Sequence, residues 1–363
     1  MIDRRLLKNF DWVLLFITLL LCTIGLVQIY SATFDPTGAI KNLALKQLYW
    51  ILIGLTMAFC VISIDYHRLA QWGPLFYFID IATLVYILMR GRAHTTVSRW
   101  IYIWGINVQP SEFMKVILIL LLAQLLKSKK LGEIGLKEGI ICSFLTLAPL
   151  FLIMKQPDLG TSILLIPILL TTMFIGGISV KWLLRLVGLG VCVCPILWFR
   201  LKTYQKRRIL GFINPNLDPL GAGYQVIQSN IAVGSGGAWG KGFMSGTQCQ
   251  LKFLPVHHTD FIFSVLAEEW GFMGAIFALI LFIFLIFRGI DIAAKAKDKL
   301  GTIISLTIVV SISLHIIINI FMVIGLLPIV GIPLPFLSYG GSAMISNFIS
   351  IALLLNIQMR RFD

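Results

Sequence analysis

The sequence predicts an all-α polytopic membrane protein of about ten transmembrane helices, with both termini cytoplasmic and one long extracytoplasmic loop between the seventh and eighth helices. Three observations lead there. Of 363 residues, 58% are hydrophobic and only 13% are charged, whereas soluble chains are about half apolar and a quarter charged. Apolar runs of roughly 20 residues, the length that crosses a bilayer as helix, recur along the whole chain. Basic residues gather in alternate connections between those runs, the pattern that orients a polytopic chain.

Taken in order, the spans fall near 12–31, 48–64, 72–89, 110–126, 138–154, 159–178, 182–199, 261–288, 302–326 and 341–358. Helices are the expected form because every backbone polar group in lipid must be satisfied within its own segment. The first run has no A-x-A-like site after it, so it is a span and not a cleaved signal. Arg4, Arg5 and Lys8 precede the first span; Lys127, Lys129 and Lys130 follow the fourth; Lys295, Lys297 and Lys299 follow the eighth; Arg360 and Arg361 come near the end of the chain. With ten spans these stretches share one side, which the positive-inside rule makes cytoplasmic. Arg90, Arg92 and Arg99 are outvoted. The net charge of +14 belongs to loops facing anionic lipid, and nucleic acid is not an expected partner. Residues 1–363 read as one membrane domain, with 200–260 as its large external loop.

The acids are few. Glu112 in QPSEFMK, Asp158 in KQPDLGTS and Asp260 in HHTDF open the fourth, sixth and eighth spans. In this topology all three start at the outer face, so three carboxylates converge on one membrane surface. Helix-start chemistry accounts for any one of them: proline and an acid suit the first turn, and Thr259 is a good cap before Asp260. Capping requires no particular depth, however, and charge at a membrane marks a pathway, relay or site. Glu112 and Lys115 are three apart and can pair on one helix face. Glu268 and Glu269 lie about 12 Å further along the helix from Asp260 at 1.5 Å per residue and are expected to pair with other helices. Asp80 reads as a buried polar anchor.

Residues 221–246, GAGYQVIQSNIAVGSGGAWGKGFMSG, lack nucleotide-loop spacing and lie outside, where no nucleoside triphosphate is supplied. Close backbone packing and an anion received by amides and Lys241 are the readings kept. YQVIQSNIAV is too short to span and suits a re-entrant or interfacial segment. In the last external loop Pro333 and Pro335 prevent regular helix before SYGGSA, which brings Ser338, Gly340 and Gly341 to the outer face as supporting positions. His258 is a candidate hydrogen-bonding neighbour of Asp260. The adjacent pair His257 and His258 has no further ligands for zinc.

QPSEFMK, KQPDLGTS, NPNLDPLGAGYQVIQSNIAVGSGG, LPVHHTDFIFSVLAEEWGF and GIPLPFLSYGGSAM follow in the order found in the shape, elongation, division and sporulation (SEDS) family, which the chain resembles over essentially all its spans. GTQCQLKFLPVHHTDF and the ending LLPIVGIPLPFLSYGGSA are similar to the elongation branch, which serves rod shape, more than to the division branch. The resemblance implies a peptidoglycan glycosyltransferase in the bacterial cytoplasmic membrane that polymerises lipid II on its outer face beside a class B penicillin-binding protein. It implies that the essential carboxylate is Asp260, supported by Glu112, Lys115, Asp158, Arg99 and Trp100.

The chemistry fits that inventory. A carboxylate within reach can take the proton of an attacking sugar hydroxyl, and a lipid diphosphate leaving group calls for cations: Arg99, Lys115, Lys155, Lys241 or a divalent metal such as Mg or Mn. Asp260 serves either as base or as ligand to that metal; both roles suit it. The rival reading is a lipid II flippase, for which buried polar residues would line a head-group path. Clustering of the acids at one face, and the lack of an inverted repeat, favour the enzyme.

Overall fold

In the computed structural model, residues 8–34, 43–93, 99–103, 106–128, 135–200, 203–214, 221–251 and 253–362 are described. Arg4, Arg5, Lys129, Lys130 and residues 215–220 of the long loop lie outside them. The helices in chain order are α1 Trp12–Thr33, α2 Leu43–Ser63, α3 Tyr66–Gln71, α4 Gly73–Ala93, α5 Pro110–Leu126, α6 Leu136–Lys155, α7 Leu159–Gly176, α8 Val180–Arg200, α9 Thr203–Ile213, α10 Ala222–Ser235, α11 Thr247–Gln250, α12 Ile262–Ala294, α13 Lys299–Val323 and α14 Gly341–Met359. Before α5 a short antiparallel hairpin pairs β1 Ile101–Ile103 with β2 Ile106–Val108, Ile101 opposite Val108.

Among the described residues, eight helices are long and apolar enough to cross a membrane: α1, α2, α4, α6, α7, α12, α13 and α14. The two other expected spans are helices as well, α5 with 17 residues and α8 with 21. The protein is an all-α polytopic membrane protein.

Aspartates start several of these helices by accepting the orphan amides of the first turn. Asp11 accepts from Leu14 N at 2.9 Å, Asp65 from His67 N at 2.8 Å and Asp298 from Gly301 N at 2.9 Å. All three stand at one end of the bundle. Arg288, near the end of α12, pairs with Asp11 at 2.6 Å, and Lys299 donates to the Gly176 carbonyl at the end of α7 at 2.5 Å. His67 bridges Asp65 and Asp298 at 2.9 Å on each side. The described residues nearest both chain ends therefore sit together, opposite the end where α5, α7, α12 and α14 begin.

The stretch 200–260 holds α9, α10 and α11, and α10, which contains the short segment YQVIQSNIAV, packs along α12 and α13. The helix of the eighth span is kinked. α12 has 33 residues and breaks at Gly271, where φ is 67° and ψ is −164°. The glycine-rich segment fills the break. Lys241 N donates to Glu268 O at 3.0 Å and Gly242 N to Glu269 O at 3.0 Å, while Phe272 N donates to Gly237 O at 2.9 Å and Met273 N to Ala238 O at 3.1 Å. The groups freed by the break are thus paired by the turns of this segment, which is what allows irregular backbone inside a membrane protein. A Cβ on Gly271 or Gly240 would overlap the other's backbone, so the glycines are there for close approach; an anion-binding role is not needed to explain them.

Candidate functional site

Asp260 lies two residues before α12, whose N-cap is Phe261, and the first turn of that helix carries no acid. Helix-start chemistry therefore does not account for it. Its position is fixed through the main chain. Asn319 Nδ2 donates to Asp260 O at 2.9 Å, Ser338 Oγ donates to Thr259 O at 2.6 Å, and Tyr339 N donates to His258 O at 3.0 Å. The 334–340 segment is clamped in turn, with Leu334 N donating to Ser338 Oγ at 2.8 Å and Gln47 Nε2 to Ser338 O at 3.2 Å. Gly331, at φ 77°, presses its bare α-carbon toward the carboxylate, and a Cβ there would stand 3.3 Å from Oδ2.

The carboxylate faces a cleft of about 240 Å³ walled by Arg99, Trp100, Glu112, Asp158 and Arg208 among others. The three acids expected to converge do share this cleft. Burial pushes the Asp260 carboxyl above the ordinary carboxylate range; the Thr259 hydroxyl and the Arg208 and Arg99 guanidiniums oppose the rise, and Asp158 adds to it. A carboxylate held this way is a stronger base than one in water, yet it still sees cations.

Asp158 is occupied with structure. As N-cap of α7 it accepts from Thr161 N at 3.3 Å and from Thr161 Oγ1 at 3.0 Å, and Gln109 Nε2 reaches it at 2.8 Å. Arg99 is held over the α6–α7 turn, donating from Nε to Gln156 O at 3.0 Å and from its other arm to Pro157 O. Glu112 pairs with Lys115 at 3.0 Å, both side chains nearly closed off. Lys115 also meets His315 Nε2 at 2.7 Å.

A second cleft of about 500 Å³ adjoins the first, lined by Lys46, Tyr49, Trp50, Asn107, His258 and Gly341 among others. Trp100, Thr259, Tyr339 and Gly340 border both clefts. His258 belongs to this second space, its ring edge-on to Tyr339 at 5.9 Å. Burial, with His257 beside it, lowers its pKa to about 4, so it stands as a neutral imidazole.

Some expected residues are elsewhere. Lys241 binds Glu268 at 2.7 Å and Thr247 at 2.8 Å, some way along α12 from Asp260, and does not line the cleft. Lys155, at the end of α6, is exposed and also absent from the lining. Ser338 is buried in the clamp beneath the site. Glu269 takes a hydrogen bond from Ser31 of α1, so both deep glutamates have partners. Asp80 is buried as expected, with its Oδ2 short of a hydrogen-bond partner.

Sequence reading missed Arg208, Asn319 and His315. Ser311, His315 and Asn319 recur every four residues in a mostly apolar run, one polar stripe on a membrane helix, and that spacing was the available signal. For Arg208, in a basic stretch of the long loop, no local signal marks it.

Among the described residues no group of three or more His, Cys, Asp and Glu side chains could hold a metal ion, and Asp260 faces two guanidiniums. These donors do not form an all-protein metal cage, and a divalent ion beside Asp260 would need oxygens of the substrate diphosphate and water to complete its shell.

The family model for the cell cycle proteins FtsW, RodA and SpoVE matches residues 11–362. The peptidoglycan glycosyltransferase MrdB of Escherichia coli (strain K12) is 40% identical over 295 residues, covering 80% of this chain and 78% of MrdB. The peptidoglycan glycosyltransferase RodA of Treponema pallidum (strain Nichols) is 32% identical over 434 residues, covering 98% of this chain and 99% of that one. Among solved structures, a chain of a peptidoglycan synthase complex that coordinates polymerization and crosslinking superposes with a TM-score of 0.82 at 29% identity, covering 98% of this chain and 99% of that chain.

Proposed function

The chain belongs to the FtsW, RodA and SpoVE family of cell cycle proteins, and from that premise we propose that it is a peptidoglycan glycosyltransferase, polymerising lipid II into β-1,4-linked glycan for cell elongation and rod shape. It works at the outer face of the bacterial cytoplasmic membrane beside a class B penicillin-binding protein. The single observation that carries the reading is the Asp260 carboxylate, set before a helix start and facing Arg99 and Arg208 across one cleft.

The step needs one base and no second acid. Asp260 takes the proton of the acceptor sugar hydroxyl as its oxygen attacks the anomeric carbon of the donor. The bond from that carbon to the lipid diphosphate breaks on the opposite side, the configuration inverts, and the diphosphate leaves with the electron pair. Arg99 and Arg208 meet the charge that develops on it. Lys155 and Lys241 have no part. The relatives MrdB and RodA, named as peptidoglycan glycosyltransferases, support the reaction class, and the likeness to a synthase-complex chain supports the penicillin-binding partner.

The test is polymerisation of purified lipid II by the purified chain, alone and with the penicillin-binding partner. Glycan strands that depend on Asp260 uphold the reading. Transfer of lipid II across vesicle bilayers without polymer would overturn it in favour of the flippase.

A further inference from the structure

Buried in the bundle, Lys115 stands between two partners. Its Nζ is 3.0 Å from Glu112 Oε2 and 2.7 Å from His315 Nε2, and all three residues are buried. On the far side of the ring, His315 Nδ1 is 2.7 Å from the Ser311 carbonyl. A carbonyl only accepts, so Nδ1 carries the ring proton; an ammonium paired with a carboxylate only donates, so Nε2 presents its lone pair. The backbone thus sets the tautomer, and the imidazole serves Lys115 as a neutral acceptor. A second carboxylate in that place would compete with Glu112 for the ammonium and leave the cluster with net negative charge, which is costly in a low dielectric. A neutral acceptor adds a hydrogen bond and leaves the pair balanced.

One turn further along α13, Asn319 holds the main chain of Asp260. The same helix face therefore grips the reacting carboxylate's backbone and the Lys115 ammonium. Glu112 lines the cleft, and its main chain is tied to α14 by Ser346, which donates to Glu112 O at 2.8 Å.

We infer that His315 is a positioning residue for glycosyl transfer: by accepting from Lys115 at its rear it holds the ammonium against Glu112, and so sets the charged wall of the cleft opposite Asp260. The inference rests on the glycosyltransferase reading. It acts through Lys115, and His315 itself touches no substrate.

Two substitutions separate this role from plain packing. His315→Asn keeps a donor for the Ser311 carbonyl and removes the acceptor facing Lys115. His315→Gln places an amide oxygen near the position of Nε2. Initial rates of lipid II polymerisation are measured with the chain in complex with its penicillin-binding partner, over a range of lipid II concentrations and on monodisperse protein. Wild-type polymerisation tests the reaction class by itself; if the wild type makes no polymer, that reading falls and this inference with it. With an active wild type, His315→Asn should lower kcat about 10- to 100-fold, the loss expected when a group near the reacting atoms shifts by an ångström, with KM little changed. His315→Gln should recover most of the rate. Equal loss in both variants, wild-type rates in both, or a His315→Asn chain that loses its fold would each overturn the assignment.

Discussion

Asn319 holds Asp260 by the backbone: its Nδ2 donates to Asp260 O at 2.9 Å and to Ile332 O at 2.7 Å. One amide thus joins α13, the turn before α12 and the loop carrying Gly331, and these three segments decide where the carboxylate points. Asn319→Leu leaves two carbonyls short of a donor. It should cost about 1–3 kcal/mol of stability, the range for unsatisfied buried polar groups, and should lower polymerisation with it. Thermal unfolding and a lipid II assay read the two effects.

Asp260→Asn keeps the shape of the side chain and removes its basicity. The protein should fold, insert and bind its penicillin-binding partner, while polymerisation falls by at least about 10²-fold, as for loss of a general base. Asp260→Glu should fail as well, because added length displaces the carboxylate from the reacting hydroxyl. Near-normal polymer from either variant would refute the role.

Burial raises the Asp260 pKa, which has two consequences of definite sign. The base is active only when deprotonated, so kcat should fall as pH drops, along a limb lying above the ordinary aspartate value of about 3.9. The folded state also binds this proton more tightly than the unfolded chain does. Its stabilising contribution is therefore full below the unfolded pKa and is lost as pH rises through the folded one. At neutral pH, Asp260→Asn should be at least as stable as the wild type. A thermal scan of both proteins from about pH 4 to about pH 8 checks the sign.

Arg208 and Lys241 should part company. Arg208→Gln removes a cation from the cleft and should lower kcat with little loss of stability. Lys241→Ala leaves Glu268 buried and short of its charge partner, and should lower stability by about 1–3 kcal/mol, the lysine end being partly open to solvent. The fraction that stays folded should polymerise normally. Melting temperatures and rates per folded molecule, measured side by side, distinguish them.

Gly271→Ala puts a Cβ where the Gly240 backbone already is, at a φ that L side chains rarely adopt. The glycine-rich segment should detach from the helix break, costing about 1–3 kcal/mol from backbone strain alone and more from the exposed amides. A lower melting temperature with greater protease sensitivity around residues 236–246 is the expected result; an unchanged melting curve would mean that the break tolerates a side chain.

The sequence by itself determined the class of the protein and several of the residues that line its cleft. Composition and the length of apolar runs dictate membrane helices because lipid offers the backbone no partners, and that constraint acts within each segment. Convergence of Glu112, Asp158 and Asp260 followed from which ends of which spans they open. The tertiary structure alone decided how each acid is held. Asp158 and Asp260 look alike as helix-start acids, yet one caps α7, while the other precedes the cap and is anchored through its main chain; a shift of two residues in a helix start is below what periodicity resolves. Long-range pairing also chose the cations, taking Lys241 away to Glu268 and bringing Arg208 in. The grip of His315 on Lys115 spans 200 positions, a contact that depends on how α13 turns against α5, and no local spacing encodes that rotation.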